Sequence, residues 1–262
     1  MARWIADAKN PLTARVIVNR VWQHHFGEGL VRSPDNFGRL GDRPTHAELL
    51  DWLATRFVES GWSVKALHRT IVLSSAYRMA SAGDADSDNS LLTRFPRRRI
   101  EAEALRDGIL AVSGQLDRTV GGDIAKVKGF EYVNGNQPAL ALPRRSVYLP
   151  VIRNDVYDLF QTFDFPEPSV PNGKRAATTV APQALFLMNS PFVRDQAGHF
   201  AKRLLDGPSR DDAERVAEAY RRAFAREPRE SEIAAALAYV IRRGWADYCH
   251  ALFASNEFVT LD

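Results

Sequence analysis

The sequence is poor in cysteine and in lysine. Cys249 is the single cysteine, so no internal disulfide, thiolate zinc site or CxxCH haem-attachment motif can be built from this chain. We therefore expect no haem or other cofactor in it. Only six of the 35 basic residues are lysines, which leaves 29 arginines, the side chain suited to bidentate carboxylate and phosphate contacts. GC-rich coding produces the same bias, so the arginines alone indicate no function.

Other absences narrow the function further. The longest apolar run, Ile233 to Ile241, is far too short to span a bilayer, and no basic-then-apolar leader opens the sequence. GxSxG, Walker and GxGxxG motifs are missing, so nucleophilic catalysis has no positive support. A net charge of +3 on 262 residues is too small to favour nucleic acid as a partner.

The clearest structural signals lie in residues 10–78. Asn10-Pro11 is typical of a helix start, Thr45 to Glu48 reads as a T-x-x-E capping box, and Ser63 is suited to cap a third helix. The first of these helices is apolar over most of its circumference, which favours a central position. We therefore expect later segments to pack onto this region.

The middle of the chain is rich in glycine and proline, and the helical pattern stops there. Residues 130–133 and 146–149 read as two short strands that pair with each other. The sequence predicts a mainly α-helical fold, a multi-helical orthogonal bundle with a small β-hairpin and long ordered loops in the middle. We expect one helical unit over 1–262, with a candidate sub-domain boundary in the polar stretch 80–93.

Four of the six histidines fall in the first region, and imidazoles that converge could bind a metal ion. Adjacent histidines on a helix point about 100° apart, so at most one of His24 and His25 faces a given site. No HExxH or HxH spacing is present, and structural roles are the simpler account. We predict no metal site, with His24 and His46 as the candidate ligands if one exists and His68 as a further imidazole within reach.

Glu103 and Asp107 lie four residues apart and should share one helix face. Two carboxylates in different environments can divide into acid and base, and His24 is a further candidate for catalysis. Structural ion pairing is the alternative, because like charges on one face need a positive partner. That partner could be a divalent metal ion or one of four arginines nearby in the sequence: Arg97, Arg98, Arg99 and Arg106.

A polar stripe crosses the first central helix: Arg15, Asn19 and Gln23, with Arg20 adjacent. Buried polar groups left without partners cost about 1–3 kcal/mol each, so the stripe must be satisfied. The following loop could supply partners through Asp35 and Asn36. The stripe therefore either fastens this loop to the helix or lines a binding cleft.

A third group of arginines could bind an anionic ligand such as a sulfated or carboxylated sugar: Arg144, Arg145 and Arg153. Loop aromatics nearby would suit sugar stacking: Tyr148, Tyr157, Phe163 and Phe165. Solvated arginines and core aromatics are the alternative interpretation.

Several long strings together resemble one family: NPLTARVIVNRVWQHHFGEGLV, SPDNFGRLGDRPTHAELLDWLA, SGWSVKALHRTIVLSSAYR, RRRIEAEALRD, RRSVYLPVIRND, FDFPEPS, TTVAPQALFLMNSPFV and ALFASNEF. They resemble the planctomycete-specific domain of unknown function that lies C-terminal in large exported proteins. Those proteins also carry a planctomycete-type cytochrome c module and a second domain of unknown function. The resemblance covers essentially the whole chain, and it supplies no established activity or catalytic residues.

The resemblance implies a periplasmic or exported setting and a partner in an upstream domain or a companion protein. We therefore expect this chain to be the C-terminal part of a larger protein. The leading hypothesis is a scaffold or interaction domain that binds such a partner or a polysaccharide. One alternative is an enzyme that acts on an anionic glycan through the carboxylate pair and arginines. A redox-partner docking domain beside a cytochrome c module is the other.

Overall fold

A computed structural model of the protein describes residues 1–5, 7, 9–82, 88–121, 142–153, 155–208 and 211–261. Within these ranges the chain forms twelve α-helices, which confirms the predicted mainly α-helical class. In chain order they are α1 (Ala2–Ile5), α2 (Pro11–Phe26), α3 (Ala47–Glu59), α4 (Val64–Val72), α5 (Ala102–Ser113), α6 (Asp158–Thr162), α7 (Ala181–Asn189), α8 (Pro191–Leu205), α9 (Asp212–Phe224), α10 (Glu230–Arg243), α11 (Trp245–Phe253) and α12 (Asn256–Val259).

The small β element that the sequence predicts is also present, but in another place. Strands β1 (Arg98–Arg99) and β2 (Thr260–Leu261) form a two-stranded antiparallel sheet. The predicted strand at 146–149 is wrong, because Ser146–Tyr148 is a 3-10 helix. Its predicted partner at 130–133 lies outside the described residues.

The chain divides into two compact units, which differs from the single unit that the sequence predicts. Unit 1 consists of the described residues of 1–98 together with 172–174, and unit 2 of those of 99–171 and 175–261. The main change of unit falls between Arg98 and Arg99, a few residues beyond the predicted boundary at 80–93.

Local capping explains where the helices of unit 1 begin and end. The Asn10 side chain accepts a hydrogen bond from the Leu12 N–H (3.0 Å), and Gly27 ends α2 with a φ of +82°. Ser63 caps α4 by accepting from the Ala66 N–H, as predicted. The predicted capping box of α3 does not form, because the Thr45 hydroxyl donates to the Leu30 carbonyl (3.3 Å) and α3 starts after His46.

Each unit has its own apolar core. In unit 1 the buried faces of α2, α3 and α4 meet around Val18, Trp22 and Phe57. The core of unit 2 is larger and surrounds α8, whose Phe200 stacks on Phe253 of α11. Helices from α5 onward therefore bury a core of their own.

Candidate functional site

The polar stripe of α2 fastens a loop to the helix of unit 1. Asn19 is fully buried, its Nδ2 donates to the Val31 carbonyl (3.0 Å), and its Oδ1 accepts from the Val31 N–H (2.8 Å). Both halves of the amide are thus satisfied by one backbone residue. A Cβ on Gly29 would lie 2.5 Å from the Val31 oxygen and 2.6 Å from the Asn19 nitrogen, so this close approach requires glycine.

The other members of the stripe have separate partners. Arg15 donates through Nε to Asp51 of α3 (2.6 Å) and through Nη1 to the Pro11 carbonyl. Gln23 Nε2 donates to the carbonyl of Gly173 (3.1 Å). Arg20 is exposed. The stripe therefore diverges to several partners and lines no common cleft.

The predicted partners of the stripe, Asp35 and Asn36, do not contact Asn19. Asp35 Oδ2 accepts from the N–H of Gly173 (3.0 Å), next to the carbonyl that Gln23 binds. The backbone carbonyl of Asn36 accepts from the Ser33 hydroxyl (3.0 Å), which holds the loop in shape. The loop is anchored as expected, but through other atoms than the sequence suggested.

The two histidines predicted as candidate metal ligands do not meet. His46 lies at the start of α3, with Nδ1 3.1 Å from the Thr45 hydroxyl. His24 is exposed on α2, and its backbone carbonyl accepts from Arg98 Nη2 (2.7 Å). Across the described ranges, no three histidine, cysteine, aspartate or glutamate side chains group closely enough to hold a metal ion.

Two other histidines of the same candidate group do meet, although the sequence analysis favoured His24 and His46. His25 Nε2 of α2 lies 2.7 Å from His68 Nδ1 of α4. Burial lowers the pKa of His25, and the nearby positive groups of His68, Arg98 and His24 act in the same direction. His25 precedes a buried phenylalanine and His68 follows a buried leucine, so both border the faces on which α2 and α4 pack. That position was the available sequence signal.

Glu103 and Asp107 share a face of α5 but serve different partners. Arg175 binds Glu103 with two parallel hydrogen bonds of 2.6 and 2.9 Å. Asp107 Oδ1 accepts from the N–H (2.7 Å) and from the hydroxyl (2.6 Å) of Ser146. Each carboxylate is therefore bonded to a different loop, and the two carboxylates do not pair with each other.

The three arginines predicted to bind an anion do not converge. Arg144 Nη2 donates to the carbonyls of Thr119 (2.7 Å) and Gly121 (2.6 Å), and its guanidinium lies over the Tyr148 ring. Arg145 is half-exposed, with Nε 3.9 Å from Asp107. Arg153 is exposed.

The aromatics predicted to stack on sugars mostly serve the core. Phe163 is 2 % exposed, and Phe165 stacks on Phe160 with ring centroids 5.2 Å apart. Tyr157 packs edge-on against the same Phe160 ring.

Arg99 and Arg106, which the sequence offered as partners of the carboxylate pair, are buried anchors of unit 2 whose short hydrogen bonds go to other groups. Arg106 is fully buried and donates to the backbone carbonyls of Arg144 (2.7 Å) and Leu142 (2.6 Å). Arg99 bonds Asp164 Oδ2 at 2.6 Å, where Asp164 has an unusual φ of +61°. Burial would raise the pKa of Asp164, but hydrogen bonds from Thr178 and Arg99 outweigh it and lower that pKa.

One surface of unit 2 stands out because it is apolar and exposed. Helix α7 contains no charged residue, and only Gln183 and Leu187 are buried. Its exposed stripe has the i, i+3, i+4, i+7 spacing of one helix face: Ala181, Ala184, Leu185 and Met188. Leu185 and Met188 are 55 % and 54 % exposed. Four consecutive apolar residues at 185–188 cannot all face inward on a helix, and this was the sequence signal.

The chain matches the model of one family over residues 1–240, under the description "PSD1: Protein of unknown function (DUF1553)". It belongs to the PSD1 family. The resemblance to a domain of unknown function is thereby confirmed, and the family carries no assigned reaction. No curated protein and no solved structure matches the chain. Among the described residues of this PSD1 domain, none of the helices combines the length and the hydropathy of a membrane span.

Proposed function

We propose that this PSD1 domain is a non-catalytic interaction domain whose α7 face binds an α-helix of a protein partner. The observation that carries the proposal is the uncharged stripe along α7. Contiguous apolar surface of this kind is characteristic of binding sites, whereas single exposed apolar residues are ordinary. The partner would be an upstream domain of the same protein or a companion protein, in a periplasmic or exported setting.

The shape of the stripe favours a helix as the bound element. Ala181 and Ala184 have small side chains, so a partner helix can approach the α7 backbone closely. Leu185 and Met188 lie beside them and supply the large side chains that fit between residues of a facing helix. Leu187, on the opposite side of α7, is buried in the unit 2 core, so partner binding leaves the fold unchanged.

The geometry supports the two alternative functions less well. An enzyme acting on an anionic glycan needs Glu103, Asp107 and arginines around one opening, whereas each carboxylate here has its own partner. A hollow of about 390 Å³ in unit 1 is lined by Arg94 and Arg97 with Ser81 and Asn89, and it contains neither carboxylate. A redox-docking role beside a cytochrome c module rests on the family resemblance alone.

A photo-crosslinking amino acid at position 185, in the full-length natural protein in its own host, tests the proposal. The crosslinked protein is then purified and its affinity measured for wild type, Leu185→Glu and Ile241→Glu. Ile241 is 84 % exposed on α10 and serves as the matched control. We expect L185E to weaken binding by more than about tenfold, which is about 1.4 kcal/mol, and I241E to leave it unchanged.

Two results would contradict this function. Crosslinks that form only to a second copy of the chain would indicate self-association. Equal loss of affinity in L185E and I241E would show that α7 is not the binding surface.

A further inference from the structure

The histidine pair of unit 1 brings two ring nitrogens from different helices to a single point. His25 Nε2 and His68 Nδ1 are 2.7 Å apart, and the two rings meet nearly edge to face. A contact this short places one N–H hydrogen between the two ring nitrogens, and the tautomers decide which ring donates it. Two imidazole nitrogens held this close are also the donor set that borderline transition-metal ions prefer.

We propose that His25 and His68 form a binding site for a transition-metal ion, with Cu(II) bound most tightly and Zn(II) less tightly. Histidine nitrogens bind these metals at about 2.0–2.1 Å, so two of them lie about 2.9 Å apart as cis ligands of tetragonal Cu(II) and about 3.4 Å apart around tetrahedral Zn(II). From 2.7 Å the pair must therefore open by about 0.2 Å for Cu(II) and about 0.7 Å for Zn(II), a change within reach of ring rotation. Solvent water completes the coordination.

The exposure of the pair permits this opening. His68 is exposed, so its ring can turn and its distal nitrogen reaches water. His25 is half-buried, and its ring is held edge-on by Tyr77 with centroids 5.4 Å apart. On metal binding, the shared proton moves through solvent to the distal nitrogen of the ring that carried it. Both rings stay neutral, and the only charge added is that of the metal ion.

The surrounding charges set the expected strength. Arg98 and His24 act on His25 as positive neighbours, and they oppose a bound cation as they oppose a second proton. Two protein ligands beside positive charge give a weaker site than a closed four-ligand centre. The preference for Cu(II) over Zn(II) follows from the general affinity order of divalent ions for nitrogen ligands.

Titration of the tag-free full chain with Cu(II) or Zn(II) at pH 7.5 tests the proposal. We expect one equivalent to bind, and His68→Ala and His25→Ala each to weaken binding by more than about tenfold, since even losses outside the coordination shell cost about 10–100-fold. The Cu(II) electron paramagnetic resonance spectrum should show splitting from two nitrogens in wild type and from one at most in H68A. Because His68 is exposed, H68A should keep the wild-type Tm.

Three control variants make the test specific. His24→Ala and His46→Ala remove the histidines that do not join the pair and should not weaken binding. His199 lies one helical turn from Asp195, with its Nε2 3.6 Å from the carboxylate, so these two side chains are another possible pair of metal ligands. His199→Ala removes that pair. Binding that survives H68A, or that is lost in H199A, H24A or H46A, would overturn the proposal, as would the absence of stoichiometric binding.

Discussion

Units 1 and 2 attach their loops to their helices by different chemistry. In unit 1 a neutral amide, Asn19, holds the backbone of Val31, and Gly29 leaves the room for it. In unit 2 a fully buried guanidinium, Arg106, holds two backbone carbonyls. A neutral amide is inexpensive to bury once both its groups are bonded, whereas a buried charge carries a desolvation cost that its hydrogen bonds must offset. The two units should therefore respond differently to substitution of these anchors.

The largest expected effect is the loss of Arg106. Arg106→Met keeps much of the side-chain volume but leaves the carbonyls of residues 142 and 144 without this donor. We expect a loss of about 3–6 kcal/mol in the free energy of unfolding, because two hydrogen bonds from a charged donor are lost and each contributes about 1.5–3 kcal/mol. Arg145→Met, at a half-exposed neighbour, should cost less than about 1 kcal/mol. Hydrogen exchange resolved by peptide measures both, and equal losses in R106M and R145M would refute the anchor role.

Asn19 comes next. Asn19→Leu is close in shape but cannot bond, so the N–H and C=O of Val31 lose their partner in the core. We expect unit 1 to lose about 2–3 kcal/mol of stability. Asn36→Ala, in the exposed part of the same loop, should lose less than about 0.5 kcal/mol. If N19L were as stable as wild type, the loop would be held by packing alone.

The sequence predicted where helices begin but not which partners the carboxylates bind. Helix starts at Asn10-Pro11 and at Ser63 were correct, because a cap acts on the next two or three residues. The division of the carboxylates was not foreseeable, since Arg175 lies 72 positions from Glu103 and Ser146 lies 39 positions from Asp107. Those pairings depend on how distant segments fold together.

The same limit applies to the candidate site. The pattern on α2 indicated that Asn19 must be bonded, yet its partner is the Val31 backbone, which no side-chain pattern reveals. The prediction that Thr45 caps α3 was wrong, because the Thr45 hydroxyl donates to the Leu30 carbonyl instead. A local sequence pattern shows that a polar side chain needs hydrogen-bond partners, and the tertiary fold determines which groups these are.

Replacing Gly29, which packs against the Asn19 amide, should have a smaller effect on the stability of unit 1. Gly29→Ala keeps Asn19 but adds a methyl group 2.6 Å from its Nδ2. We expect a loss of about 1–3 kcal/mol in unit 1, as is typical of overpacking. Gly38→Ala is the matched control, because its Cβ would come no nearer than 4.0 Å to the described residues around it. Hydrogen exchange resolved by peptide over unit 1 measures both, and equal stability of G29A and G38A would contradict the close packing.

A pH effect should separate the units further. The pKa of His25 is lowered by burial and by its positive neighbours, so the unfolded chain, with a histidine pKa of about 6.5, takes up this proton first. The stability that neutral His25 gives is complete above that value and is lost as pH falls toward the folded pKa. His25→Gln should flatten the profile of unit 1 in metal-free buffer. An unchanged slope in H25Q, measured by hydrogen exchange from pH 7.5 to 5, would contradict this assignment.

The smallest expected effect is that of the Arg15–Asp51 ion pair, which joins α2 to α3. Its side chains are 32 % and 56 % exposed, so water and salt screen the charges on both sides. Asp51→Ala should therefore cost less than about 1 kcal/mol, and a double-mutant cycle with Arg15→Ala should give a coupling of the same small size. Addition of 0.5 M salt should remove most of that coupling while leaving the effect of N19L in place. A coupling as large as the N19L effect would mean that unit 1 is held by charge after all, and the contrast with Arg106 would disappear.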